Sequence, residues 1–203
     1  MKKSYLLGLL CISSAVFAQC QPEGTFRYAV SGKADGEMVK TVKFADNNIL
    51  TISSNLVVKK FMKTITIDQV SMGSVSPQTG VFRPSLSTTK DSRVDDGNPV
   101  DVTLGNDQQD NLSLAYGLGC ALQSDASIPQ AVMMLQQGAM QSFQVNEEKD
   151  VKLDDFITTK ITVQNDSNRY TYWFAPMGEY ETMVQSEVAD KDGLIFHFVL
   201  QMN

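Results

Sequence analysis

The chain has 203 residues, 17 basic against 23 acidic side chains, a formal net charge of −6 and a single histidine. The acidic balance opposes a nucleic-acid partner, whose phosphates call for a basic surface. One imidazole leaves little from which to build a histidine metal site or a Ser–His–acid triad.

The chain opens with Met1-Lys2-Lys3, followed by an uncharged run from Ser4 to Phe17 carrying Leu6, Leu7, Leu9, Leu10, Ile12 and Val16. A bilayer span needs about 20 apolar residues, and this run ends sooner, at Gln19-Cys20-Gln21-Pro22. The pattern predicts a cleavable secretory signal over residues 1–18, cut between Ala18 and Gln19, and no permanent membrane span. Residues 19–203 then form one β-rich domain in the periplasm or outside the cell, large enough to bury its own core. Loss of Lys2 and Lys3 lowers the basic count from 17 to 15 and moves the net charge from −6 to −8. Cys20 admits a second reading as the lipid-modified first residue of a lipoprotein, which the bulky Gln19 before it disfavours. With Cys11 removed, Cys20 and Cys120 remain in an oxidising compartment, either as a disulfide or as two unpaired thiols. A bridge would close a loop of about 100 residues and stabilise by about 4–5 kcal/mol in the chain-entropy limit.

Period-two alternation starts at once in the mature region. Phe26, Tyr28 and Val30 alternate with Arg27, Ala29 and Ser31, and after the turn at 31–36 Met38, Val42 and Phe44 continue the pattern. Leu50 and Ile52, Leu56 and Val58, then Ile65 and Ile67 extend a meander, and Val81 to Leu86 reads as a strand with Pro84 marking an edge or a start. Residues 91–109 break the pattern. Helical spacing follows twice. The first candidate is a short segment capped by Asp110 or a neighbour, with Leu112, Ala115 and Tyr116, weakened by Gly117 and Gly119. The second is a stronger one from Ser127 to Gly138. Strands return at Phe143–Val145, Ile157–Gln164, Tyr170–Phe174, Glu181–Glu187 and Leu194–Leu200. The fold class expected is mainly β: a strongly curved antiparallel sheet or open barrel of about ten strands with one or two short helices.

Few residues offer chemistry. His197 stands in the last strand on the face opposite Phe196 and Phe198. Asp91, Asp95, Asp96, Asp101, Asp107 and Asp110 lack the alternating spacing of a calcium loop and read as a solvated loop. No catalytic, cofactor or metal residue is expected, and the chain reads as a non-enzyme. The feature that stands out is methionine: Met133, Met134 and Met140 cluster around the second helical candidate and are candidates to line an apolar site, with ordinary core packing as the alternative.

Three passages resemble an exported bacterial family catalogued only as a domain of unknown function. Tyr28 to Gly32 and Gly36 into Lys40-Thr41-Val42 is similar to its opening hairpin, and Phe82-Arg83-Pro84-Ser85-Leu86-Ser87 to its mid-chain strand. Tyr172-Trp173-Phe174-Ala175-Pro176 with Val184-Gln185-Ser186-Glu187 and the apolar last strand is similar to its closing hairpin. The resemblance implies a curled antiparallel sheet in the periplasm, in the style of bacterial lipoprotein carriers, and no known activity. The stretch from Ala126 to Gly138 departs from it by its methionines. The function expected is therefore a non-enzymatic periplasmic or envelope protein holding an apolar small molecule, a lipid or an envelope protein on the concave face of its sheet. A carboxylate hydrolase of the envelope and a cavity-free interaction protein are the alternatives.

Overall fold

The computed structural model describes residues 22–45, 48–76, 81–94 and 97–202; the expected signal over residues 1–18 and Cys20 lie outside them. Among the described residues the strands are β1 (Gly24–Gly32), β2 (Asp35–Ala45), β3 (Ile49–Lys60), β4 (Lys63–Val75), β5 (Phe82–Asp91), β6 (Val100–Thr103) and β7 (Gln108–Gln109). A helix, α1 (Asn111–Gln123), precedes β8 (Ala131–Gln136), β9 (Ala139–Leu153), β10 (Phe156–Gln164), β11 (Asn168–Met177), β12 (Tyr180–Asp190) and β13 (Gly193–Leu200).

All thirteen strands belong to one sheet, ordered β6-β5-β4-β3-β2-β1-β13-β12-β11-β10-β9-β8-β7. Two meanders run outward from a seam where β1 pairs antiparallel with β13, so that both ends of the described chain meet in mid-sheet. Every pairing is antiparallel except β7 with β8. The outer strands β6 and β7 are not paired with each other, so the sheet curls without closing into a barrel. Register shifts at Met72/Gly73, Thr158/Lys160, Trp173/Phe174 and Val188/Ala189 add the local twist that bulges supply. Gly36 and Gly73 let backbones approach where the curl is tight: a Cβ at Gly36 would sit 2.0 Å from the Val57 carbonyl oxygen, and one at Gly73 2.1 Å from that of Arg83.

The helix lies on the concave side and touches β3, β4 and β5 of one arm and β7, β8 and β12 of the other. It is the weaker of the two helical candidates. Asp110 caps it through a reciprocal pair in which the Ser113 amide donates to Asp110 Oδ1 at 2.8 Å and the Asp110 amide donates to Ser113 Oγ at 2.8 Å. Leu112, Tyr116 and Cys120 pack on Val42, Leu50, Ile52 and Phe82, and Leu114, Ala115 and Leu118 pack on a larger core with Tyr28, Phe143, Tyr172 and Phe174. A helix enclosed on most sides needs no polar stripe, which explains its nearly uniform apolar composition.

The second helical candidate is not a helix. Residues 131–136 form β8, which turns through Gln137 (φ 49°) and Gly138 (φ 80°) into β9. Two consecutive left-handed residues make the two-residue hairpin turn that Gly138 favours, and this turn outweighs the helical spacing of Val132 and Leu135. Among the described residues the strand count exceeds the expectation of about ten, because the stretch over 91–109 that broke the pattern holds the short β6 and β7 and the second helical candidate is β8, while β3 is one unbroken strand.

These contacts separate two glycines. Gly36→Ala forces a side chain into backbone and should lower the unfolding free energy by more than about 2 kcal/mol, seen as a shifted urea midpoint. Gly117→Ala, in a helix interior with nothing within 4 Å of the added Cβ, should raise it by up to about 1 kcal/mol.

Candidate functional site

The inner face of the first arm is apolar except along one band. Met38, Val42 and Phe44 of β2 point inward with the core, and strict alternation places Lys40 among them. Lys40 is 3 % exposed as a residue and makes no ion pair among the described residues, although its ammonium is not one of the fully buried polar atoms without a partner. Its register partner on β3 is Ser54, and two positions further along the inner face Ile52 faces Ser71 of β4, which in turn faces Ser87 of β5. Ser54, Ser71 and Ser87 are all buried, and the Ser71 hydroxyl has no partner among the described residues. Polar groups removed from water are ordinarily hydrogen-bonded, and an unpaired buried ammonium is costlier than an unpaired hydroxyl. Burial alone pushes the Lys40 pKa down to about 8.

On the other side of Lys40 stands Phe26, its register partner on β1. Phe26 lines an open groove of about 740 Å3 at the start of β1, together with Met177, Tyr180, Leu200 and Met202. Its volume falls within the range of small-molecule sites. Phe26 also packs against both inner cores, so the groove and the lysine band share one wall. Two tyrosines cross-tie the interior: Tyr28 Oη donates to the Met183 carbonyl at 3.2 Å, and Tyr172 Oη donates to Asn111 Oδ1 at 2.6 Å. Burial raises the pKa of both phenols well above the ordinary tyrosine value, so both stay protonated as donors. Tyr170 Oη donates to Gln136 Oε1 at 2.6 Å, and its pKa is pushed up to about 12 by burial.

The methionines singled out in the sequence do not converge. Met134 is fully buried in the core beside Phe143, whereas Met133 and Met140 stand on the other face of the β8–β9 hairpin. Cys120 is buried on α1 beside Val42, and its expected partner Cys20 lies outside the described residues. His197 lies between Ser31 and Glu187 on the outer face of the sheet, its Nε2 buried and without a partner among the described residues.

In the acidic stretch Asp101 and Asp107 are exposed, Asp91 is half-buried and Asp110 is buried. Asp91 is gripped by the Arg93 guanidinium at 2.5–3.1 Å, a hydrogen bond that holds its carboxyl below the usual range. Asp101 accepts from Thr88 Oγ1 at 2.6 Å, and Asp110 is the buried helix cap. Asp95 and Asp96 lie outside the described residues. Among the described residues no group of three or more His, Cys, Asp or Glu is placed to hold a metal ion. Lys40 itself was not singled out from the sequence, although its slot between Met38 and Val42 in a period-two strand was the signal for it.

No family model matches the sequence, and no curated protein matches it. Among solved structures, the chain is similar to the crystal structure of a β-barrel-like protein of Domain of Unknown Function DUF1849 from Brucella abortus. The identity is 10 %, 87 % of this chain and 95 % of that one are covered, and the TM-score is 0.48.

The buried lysine makes a measurable demand on stability. One pKa unit corresponds to about 1.4 kcal/mol, so a depression from 10.5 to about 8 costs the folded state roughly 3 kcal/mol while the group is charged. Because the folded pKa is the lower one, the unfolded chain holds more protons between about pH 8 and 10.5. The cost is complete below that window and fades as pH rises through it. Lys40→Met should therefore raise the unfolding free energy by roughly 3 kcal/mol at pH 7, and the gap to the unaltered protein should shrink from pH 8 to 10. Urea titrations at several pH values check both the sign and the window.

Proposed function

We propose that this chain is an exported, non-enzymatic envelope protein that holds an amphiphile on the inner side of its curled sheet. The apolar body lies in the groove beside Phe26, and an anionic end meets Lys40 and the serine band. The observation that carries the reading is a lysine only 3 % exposed at a position where alternation calls for an apolar residue. A cation on an inner face between Met38 and Val42 loses stability unless a ligand supplies the opposite charge.

The compartment is part of the proposal. Lys2, Lys3 and the apolar run to Val16 support export and cleavage after Ala18. The Cys20–Cys120 disulfide is proposed with it: Cys120 sits in the same cluster that Phe26 packs against, and Phe26 follows Cys20 by only six residues. Such a bridge would hold the start of β1, one wall of the groove, against α1. Intact-mass measurement on periplasmic material should give a chain beginning at Gln19 and lighter by two hydrogens before reduction than after it. An acylated chain beginning at Cys20 would instead establish the anchored form.

Native mass spectrometry of protein purified from its own periplasm should show a bound species that organic extraction releases as an acidic lipid or fatty acid. Lys40→Met should retain the fold and lose that ligand's affinity by on the order of tenfold or more, the value of one charge-assisted hydrogen bond. A ligand-free protein that takes up no lipid would overturn the reading.

A further inference from the structure

The hairpin joining β3 to β4 ends in a tip unlike any other turn of the fold. Lys60 and Lys63 are register partners, which leaves Phe61 and Met62 as a two-residue loop. Their side chains are 97 % and 101 % exposed, as open to water as in an isolated peptide. Lone apolar residues are ordinary on protein surfaces, but two adjacent ones at the apex of a projecting hairpin present a continuous apolar point. Phe61 holds a left-handed φ of 56°, at a hairpin position where glycine is the usual choice. Local conformational preference thus speaks against phenylalanine there, and nothing among the described residues covers it.

The charges around the tip are one-sided. Lys59, Lys60 and Lys63 are all exposed, and among the described residues none of them makes an ion pair. No acidic residue occurs between Asp46 and Asp68, in a chain whose net charge is −6. The nearest carboxylate by register is Asp35, opposite Lys59.

We propose that the Lys59–Lys63 tip docks on an anionic phospholipid surface. Phe61 and Met62 enter the boundary between headgroups and acyl chains, and the three lysines lie at headgroup level. Strand residues advance about 3.3 Å each, so the apex leads Lys60 and Lys63 by about 3 Å and Lys59 by about 7 Å, and its own side chains reach further into the interface. Attraction of lysines to anionic headgroups supplies the complementary charge. A convex two-residue point suits a deformable lipid interface, whereas a protein partner needs about 800 Å2 of matched surface on each side. This docking stands independently of the interior lysine and of the proposed ligand.

The test is flotation of the processed full chain with vesicles of phosphatidylglycerol and phosphatidylethanolamine, against vesicles of phosphatidylcholine alone. Binding should be confined to the anionic vesicles and should weaken as salt screens the lysines. Replacing all three lysines with glutamine should cut the partition coefficient on the order of 100-fold, at about fivefold per lysine. The Phe61→Gly variant separates docking from folding, because it should raise the urea midpoint by relieving the left-handed residue and yet reduce vesicle binding at least several-fold. Equal binding of these variants and the unaltered chain would overturn the proposal, as would no binding to anionic vesicles. A photoreactive phenylalanine analogue at position 61 that crosslinks to one protein rather than to lipid would also overturn it.

Discussion

An open antiparallel sheet that curls has one face turned in upon itself, and that face must be covered by something other than water. Here a single 13-residue helix covers it, wedged between the two arms and touching strands of both. Its fixings are specific. The Asp110–Ser113 capping box sets its start, and Tyr172 holds Asn111 from β11. At the far end the Gln123 amide grips the turn between β11 and β12, donating to the Glu179 carbonyl and accepting from the Glu181 amide. Edge-to-face packing of Tyr116 on Phe82, with ring centroids 5.6 Å apart, joins the helix to β5. Among the described residues the β1–β13 seam links the two meanders within the sheet, and the helix links them across the interior.

Enclosure of that face gives the buried lysine its meaning. On a solvated face Lys40 would be one charge among many; between Val42 and Met38, with a helix on the same side, it is a cation 3 % exposed as a residue and without an ion pair among the described residues. Residues that oppose the local rule at a cost to stability mark the places where a fold serves something other than its own stability. Phe61 is a second such place. It breaks a backbone preference and a solvation preference together, at the opposite extreme of exposure. Both lie within the β2–β4 region, and β3 carries Ser54 beside Lys40 and leads directly to the tip.

The antiparallel, mainly β character was legible because alternation is a local signal. Phe26-Tyr28-Val30 and Phe196-Phe198-Leu200 each announce a strand with one buried face, and their pairing across the seam obeys the parity read from each alone. The helical assignments inverted for a reason equally physical. Asn111–Gln123 has a poor helical face with two glycines and becomes a helix because the interior needs a cylinder there. Ala131–Gln136 has a fair helical face and becomes a strand because Gln137-Gly138 closes a tight turn onto β9. Met133, Met134 and Met140 looked like one group only while the segment was read as helical; in a hairpin their parities send them to opposite faces.

The amino-acid order by itself determined which positions alternate, where tight turns fall and that acid outweighs base, since each of these is set by neighbours along the chain. Which side of the sheet is enclosed, and therefore that Lys40 is buried while Phe61 and Met62 are bare, was decided by the curl of thirteen strands around α1. Burial depends on residues tens of positions away, and no local pattern carries that information.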